Sequence, residues 1–534
     1  MEARLLPMGR AALLVEVADT DEALALRGRL SPLVGGAEGV WGDVDHLVVG
    51  ARTLLVRLRT GGRLAEVGRA CAAEAAAVDP AALERSDVVV EIPVRYDGPD
   101  LGEVASLTGL TREQVVQAHT GTTWRVGFGG FAPGFAYLVD GDPRLEVPRR
   151  SEPRTRVPAG SVALAGRFSG VYPQDSPGGW QLVGSTDVVL WDADRDPPAL
   201  LAPGQSVRFT DAGPVTAAAI EHAHPAPEPP DRPGSRPGRG LEVLATGPLT
   251  LVEDLGRPHL ADAGVGRSGA ADPTAYLLGL RLVGHVVDDR EIASTAVLPA
   301  SLEVTLGGLV VRARGELLVA LTGAACPADV DGRPVGHAAP IVLRDGQVLT
   351  LGTPTAGLRT WLAVRGGIVV PPVLGSRSTD TLSRLGPPAP VVGDVLAVGP
   401  TPATFPVVEA APQPDAAAGE VVLELDAGPR GEWCDLSDLQ GRWTVSPRSN
   451  RVGIRLEGSR IHWSSTYADR ELPSEGLVPG AVQVPPGGEP VVFLADHPVT
   501  GGYPVVAVLT PVSVSRAAQL RPGQAVRLRW APRR

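Results

Sequence analysis

One block of sequence occurs twice in this chain, far apart, and that repetition limits the possible folds more than any other feature. The first copy opens Val157-Pro158-Ala159-Gly160-Ser161-Val162, passes Pro177-Gly178-Gly179-Trp180 and closes Leu201-Ala202-Pro203-Gly204-Gln205-Ser206-Val207-Arg208-Phe209. The second opens Val478-Pro479-Gly480-Ala481-Val482, passes Thr500-Gly501-Gly502-Tyr503-Pro504 and closes Leu520-Arg521-Pro522-Gly523-Gln524-Ala525-Val526-Arg527-Leu528. A third echo, Leu343-Arg344-Asp345-Gly346-Gln347-Val348-Leu349-Thr350-Leu351, lies between them without a Gly-Gly-aromatic element ahead of it. The period is too long for a solenoid. It indicates duplicated β-domains, and 65 glycines with 52 prolines punctuate the many short strands that barrels or sandwiches need.

The chain has no lysine, so all 49 basic residues are arginines. A Walker-type phosphate loop, a Schiff-base lysine, a Ser-Ser-Lys amidase triad and a covalently carried biotin are therefore excluded. Phosphate handling would fall to Arg, backbone N–H groups or a metal. The net charge of −11, without a basic run, argues against nucleic acid or an anionic membrane as partner. The apolar stretch Ala11–Val17 is short and followed by Asp19, Asp21 and Glu22, which predicts a strand and not a signal peptide. Cys71, Cys326 and Cys434 are odd in number and widely spaced, as expected for reduced thiols in the cytosol.

Along the chain, residues 1–95 carry the order β-α-β-β-α-β of a ferredoxin-like α+β module: strands at Ala11–Val17, Val40–Val49, Thr53–Leu58 and Val88–Val94, with helices from Asp21 to Leu30 and Arg63 to Ala77. Residues 96–212 open with two short helices, at Gly102–Thr108 and Thr111–His119. Thr111-Arg112-Glu113-Gln114 has the form of a capping box. The rest of that segment reads as a closed barrel. A Pro-rich linker at 213–239, containing His222 and His224 as surface histidines, precedes a barrel at 240–400 with one helix at Asp272–Val283. A second linker, 401–419, leads to a last barrel at 420–534.

Several clusters could do chemistry. Pro148-Arg149-Arg150-Ser151-Glu152-Pro153-Arg154 sets Arg149 and Arg154 on stiff supports, either to grip an oxyanion bidentately or to pair with Glu146 and Glu152. Gly178-Gly179-Trp180 and Gly501-Gly502-Tyr503 either let a ligand approach the backbone or simply turn a hairpin. Asp254-Leu255-Gly256-Arg257, Ser268 to Asp272, Gly375-Ser376-Arg377-Ser378-Thr379-Asp380, and Asn450-Arg451 with Glu475, Gln483 and Asp496 mix carboxylates, arginines and hydroxyls. Such clusters either bind a small polar molecule or are solvated turns. No His-Glu-x-x-His or Gly-x-Ser-x-Gly is present, so a zinc site or an α/β-hydrolase elbow has no support.

Gly127 to Leu138, Pro148-Arg149, Pro153-Arg154, Val157 to Ser161 and Tyr172-Pro173-Gln174-Asp175-Ser176-Pro177-Gly178-Gly179-Trp180 resemble the B-type subunit of 5-oxoprolinase, also called allophanate hydrolase subunit 1. Asp254 to Arg257, Ser268 to Asp272, Gly375 to Ser378, Asn450-Arg451 and Thr500 to Pro504 resemble the C-type subunit, or allophanate hydrolase subunit 2. The same pair is similar to the carboxyltransferase region of urea amidolyase and to a sporulation kinase inhibitor with its antagonist. The resemblance implies cyclophilin-like barrels, one in the first half and two in the second, and an active site between the halves. It further implies ATP-dependent opening of 5-oxoproline to glutamate with a separate A-type subunit, ATP with Mg2+ being consumed. Within it, Arg149, Arg154, Arg257 and Arg451 would hold phosphate or carboxylate. Ser161, Gln174, Gly178, Gly179, Trp180, Ser268, Arg377, Asn450, Gln483, Gly501, Gly502 and Tyr503 would contact substrate or nucleotide. Asp272, Asp380, Glu475 and Asp496 would carry metal or proton traffic, and His119 would be a general acid/base or else cap its helix. The metal and the oligomeric state, homo-oligomer included, are not set by the sequence. The family stretch after Asp272 is altered at Gly279–His285, and 286–300 reads as an insertion before Leu302-Glu303. Two other readings stand beside the first: a carboxyltransferase acting on a urea-like amide with biotin on another protein, and a kinase regulator, which fusion of inhibitor to antagonist disfavours.

Overall fold

The computed structural model describes residues 1–36, 39–59, 61–79, 88–213, 238–286, 297–406, 408–413 and 416–532. The Pro-rich linker, its two histidines and most of the insertion therefore lie outside the described residues.

The N-terminal module is an antiparallel sheet in the order Arg4–Pro7, Ala12–Glu16, Thr53–Leu58, Val44–Val49. Its strands are apolar on both sides for a reason. Leu13, Val15, Leu54 and Val56 pack on the helices Thr20–Leu30 and Leu64–Ala77 through Leu24, Leu26, Val67 and Cys71. Leu14, Val48 and Leu55 face the other way and pack on Leu477, Phe493 and Val508 of the last unit. Alternating side chains thus bury both faces of one sheet. The ferredoxin-like order is corrected at one place: Val89–Val94 does not return to this sheet, and Arg4–Pro7 takes the edge position instead.

Val89–Val94 pairs in parallel with Ser206–Asp211, at the end of a seven-stranded sheet ordered 181–185, 161–165, 168–171, 136–139, 123–129, 206–211, 89–94. The bridge Arg95–Ser185 brings its two edges together, so the unit is nearly a barrel. Helices Leu101–Thr108 and Arg112–Gly121 cover it, and the Thr111–Gln114 capping box is formed on both sides.

The last unit is a closed seven-stranded barrel, Val421–Ala427, 505–509, 481–483, 491–493, 453–458, 443–445, Ala525–Trp530. It closes as the first does: Ala525–Trp530 runs parallel to Val421–Ala427 and antiparallel to Trp443–Val445. Both closing strands are the tail of the repeated block. In each, the glutamine side-chain oxygen accepts from the backbone three residues earlier, Gln205 from Ala202 (2.8 Å) and Gln524 from Arg521 (3.1 Å). Gln347 does the same for Arg344 (2.9 Å). Each turn places its glycine at positive φ, Gly204, Gly346 and Gly523. The third echo therefore repeats the turn but not the closure, since Val348–Leu351 pairs only antiparallel, with Leu309–Arg314 and Ala328–Val330.

Consistent with that, the middle unit departs from the expected barrel. Sheets of seven and five strands enclose one core, with Leu241, Val311 and Leu349 from one and Leu302, Leu321 and Leu362 from the other. Its helix, Pro273–Leu282, starts as Asp272-Pro273 predicts. Asp272 accepts from Ala275 N (3.1 Å), and proline occupies the first turn where no N–H is needed.

Candidate functional site

The halves meet through a glycine-rich arm, Gly129–Gly134. A β-carbon on Gly129 would lie 2.3 Å from the Asp262 carbonyl oxygen, and one on Gly130 would lie 2.2 Å from Thr500 Oγ. Gly134 N donates to Ala263 O (2.9 Å). Ion pairs Arg10–Asp426 (2.7 Å), Arg267–Asp45 (3.3 Å) and Arg149–Glu471 (3.0 Å) cross the same junction.

At this junction lies a cavity of about 790 Å³ with walls from all three β-units. Phe131–Pro133 and Gln174–Pro177 come from the first half. Thr305, Leu306, Arg359, Thr381, Leu382 and Arg384 come from the middle unit, and Ser449–Val452 with Leu494 from the last. Of the nine described non-glycine residues with positive φ, three border it: Phe131, Leu306 and Arg384. Left-handed backbone at bulky residues is strained and gathers at functional places.

Behind the cavity stands a buried charge network centred on Arg451. Its guanidinium donates to Asp496 (3.0 Å), to Glu303 and to Gly269 O (2.6 Å), and lies 3.2 Å from Glu253. Arg359 adds a bond to Glu303 (3.1 Å) and another to Ala518 O. Asp496 also accepts from Ser268 Oγ (2.7 Å), Thr381 Oγ1 (2.6 Å) and Thr381 N (3.0 Å). Burial works to raise the Asp496 pKa, but Arg451 and these donors hold it below the usual carboxylate range. Glu253 is the opposite case. Burial, then Glu303, Asp496 and Asp254, push it well above that range against the pull of Arg451, and neither oxygen makes a hydrogen bond. Three carboxylates share two guanidiniums here, so Glu253 is the one that keeps its proton.

Other candidates fall into separate roles. The Asp254–Arg257 and Gly375–Ser378 motifs interlock: Asp254 accepts from Ser376 Oγ and Ser378 Oγ (both 2.6 Å), and Arg257 donates to Val373 O (3.1 Å) and Ser378 O. Arg377 ties down Val370 O (3.0 Å). Asp380 accepts from Leu382 N and Ser383 N (both 2.9 Å). Asp272 caps its helix and accepts from Gln519 (2.8 Å). Glu475 pairs with Arg430 (2.9 Å), which also holds Glu16 (2.6 Å). Arg154 is bound to Asp100 (2.7 Å) beside Arg150 (2.9 Å) and does not reach the cavity. Ser161 Oγ donates to Pro158 O (2.7 Å), a local turn. Gly178 is squeezed against the Tyr172 hydroxyl, while Gly179 O accepts from Arg150 N (2.8 Å) and Trp180 lies in the core. Gly502 stands beside Arg149; Gln483 donates to Tyr503 O (2.9 Å) and crowds Gly501. Of the expected residues, only Gln174, Asn450 and Arg451 line the cavity itself.

His119 is corrected outright. It is fully buried, with Nδ1 2.7 Å from Tyr96 Oη and Nε2 2.9 Å from Ser169 Oγ, and it stacks on Phe209 at 4.2 Å. Burial lowers its pKa to about 3, so it stays neutral and serves the core. Stability linked to His119 is full above its unfolded value of 6.5 and is lost as pH falls toward the folded value. His119→Ala is expected to cost about 2–4 kcal/mol in denaturant titration while leaving the pH profile of turnover unmoved. A profile that loses an inflection would return His119 to the chemistry.

Sequence reasoning missed Glu253, Glu303, Arg359 and Arg384. For the two glutamates a signal existed: Glu303 interrupts the strand Ser301–Thr305, and Glu253 ends the apolar strand Leu249–Glu253.

The whole arrangement is that of a known domain family. A family model for the carboxyltransferase domain, subdomain C and D, matches residues 3–201, and one for subdomain A and B matches residues 263–530. The chain belongs to the carboxyltransferase-domain family. It is 36% identical to the C-type subunit of 5-oxoprolinase from Escherichia coli K12 over 293 residues, 54% of this chain and 89% of that one. It is 52% identical to the B-type subunit of 5-oxoprolinase from Escherichia coli O157:H7 over 131 residues, 24% of this chain and 60% of that one. The crystal structure of TTHA0988 superposes with a TM-score of 0.81 at 33% identity, covering 97% of this chain and 99% of that one.

Proposed function

We propose that this chain is the fused B- and C-like component of an ATP-dependent, lactam-opening enzyme of the 5-oxoprolinase type, working with a separate A-type subunit. The observation that carries the reading is the cavity of about 790 Å³ at the junction, walled by the B-like and C-like parts together. A lactam carbonyl is a poor electrophile. Transfer of the ATP γ-phosphoryl group to its oxygen releases ADP and activates the carbon; water adds there, the C–N bond opens to the amine and an acyl phosphate, and a second water splits the acyl phosphate to carboxylate and phosphate. In this reading the cavity binds and orients the lactam, with the unbonded Gln174 carboxamide and the Asn450 Nδ2 on walls from the two halves, and the Arg451 network fixes those walls in place.

Mg2+ enters as part of the nucleotide substrate. The carboxylates near the cavity are engaged by arginines, backbone N–H groups or hydroxyls, and no group of three or more metal-ligating side chains is assembled among the described residues. They do not fit a resident metal, and no step is assigned to one.

The test mixes the chain with an A-type subunit, Mg·ATP and 5-oxoproline. Glutamate and ADP are expected in equal amounts, neither appearing when the chain is omitted. The family description favours one competing reading, carboxyl transfer to a urea-like amide. ADP formation that requires bicarbonate and a biotinylated carrier would replace the first reading with that one, the carrier being another protein because this chain has no lysine.

A further inference from the structure

The structure assigns Arg384 as the residue that grips an oxyanion, the carboxylate or phosphate group of a small molecule bound in the junction cavity, with Ser176 Oγ, on the wall that the first half supplies, as a second group bonding that oxyanion. Three guanidiniums line that cavity, and two are occupied. Arg451 is surrounded by Asp496, Glu303 and Glu253, and Arg359 is bound to Glu303 and Ala518 O. Arg384 is exposed and, among the described residues, makes no hydrogen bond and has no carboxylate within ion-pairing distance. The acid that shares its electrostatic field, Asp175, is already bound to Arg156 (2.7 Å) and Ala159 N (2.9 Å).

Next to Asp175 is Ser176, whose Oγ is buried without a partner while the residue lines the same cavity. A buried unpaired hydroxyl is costly, and a ligand oxygen that bonds to it would remove that cost. Arg384 is also held ready. Asp496 fixes Thr381 through backbone and hydroxyl, and Asp380 fixes Leu382 N and Ser383 N, so the turn is clamped residue by residue up to Arg384. Arg384 itself is left-handed (φ 56°), a conformation an arginine adopts only when its surroundings impose it. The Arg451 network therefore works at one remove: through Asp496 it positions the turn that presents the free cation. A planar guanidinium on a rigid base suits bidentate oxyanion capture.

The choice of 5-oxoproline as probe rests on the proposed function; the cation site does not. Calorimetric titration of the full chain is run with 5-oxoproline, its uncharged carboxamide and inorganic phosphate, for wild type, Arg384→Ala and Arg384→Lys. Arg384→Ala is expected to weaken binding of the anionic probe roughly 10- to 100-fold, with Arg384→Lys between the two, an unchanged melting temperature, and no effect on any binding of the carboxamide. Phosphate binding that depends on Arg384, without binding of 5-oxoproline, would sustain the site and remove the lactam reading. Binding of 5-oxoproline that ignores Arg384→Ala would do the reverse. The assignment is overturned equally if neither anion binds wild type, or if Arg384→Ala weakens acid and carboxamide alike.

Discussion

Arg451→Met will lose about 3–5 kcal/mol of stability in denaturant titration, a large part of what holds a typical domain folded. The methionine fills nearly the same volume, so packing is not what fails. Removing the guanidinium leaves Asp496 and Glu303 buried without their shared counter-charge, and it cuts a bond from the last barrel to Gly269 O in the middle unit. Arg451→Lys should recover only part of the loss, because a point charge with three donors cannot reach all these acceptors in the fork geometry that arginine offers. An unfolding midpoint equal to wild type in Arg451→Met would mean that the network adds nothing to cohesion.

Glu253→Gln will make the protein more stable than wild type at pH 8, and the gain will shrink to nothing near pH 4.5. The sign follows from the proton. The folded state holds Glu253 protonated far above its unfolded value of 4.5, so stability is full below that value and is lost as pH rises toward the raised one. Each pH unit in that window costs about 1.4 kcal/mol for one proton. Glutamine has the shape of the protonated acid and takes up no proton, so it removes the slope. Glu253→Ala keeps neither shape nor hydrogen-bonding capacity and should be less stable at every pH. If Glu253→Gln proves less stable than wild type at pH 8, the carboxylate is ionised and paired with Arg451.

Local signals in the chain were legible where one or two residues decide the outcome. The capping box at Thr111 formed, Asp272-Pro273 started its helix, and the apolar run before Asp19 became a strand. What failed needed a partner distant in sequence. Val89–Val94 reads as a sixth ferredoxin-like element, but its hydrogen-bonding partner is Ser206–Asp211, more than a hundred residues on. Likewise the middle unit carries the same Gly-Gln turn as its neighbours, yet whether a sheet closes is decided by the strand that comes back to it. The clusters of polar residues were found, but their roles were not. Ser161, Arg377 and His119 bond within the protein, and so do Arg154 and Arg257, each with one buried guanidinium nitrogen left over. Arg384 sits in no recognisable motif; its left-handed backbone and the occupation of the other cavity arginines single it out.

The inner sheet of the first module, with Leu14, Val48 and Leu55 turned toward Phe493 and Val508, carries a consequence for how the molecule is made. On the ribosome this surface emerges well before the residues that cover it. Over that interval an oily patch stays wet, a window for chaperone capture or aggregation. Were the two parts separate polypeptides, that same patch would be a seam open for them to assemble along. Joining them in one chain raises the local concentration of the missing cover and shortens the wait.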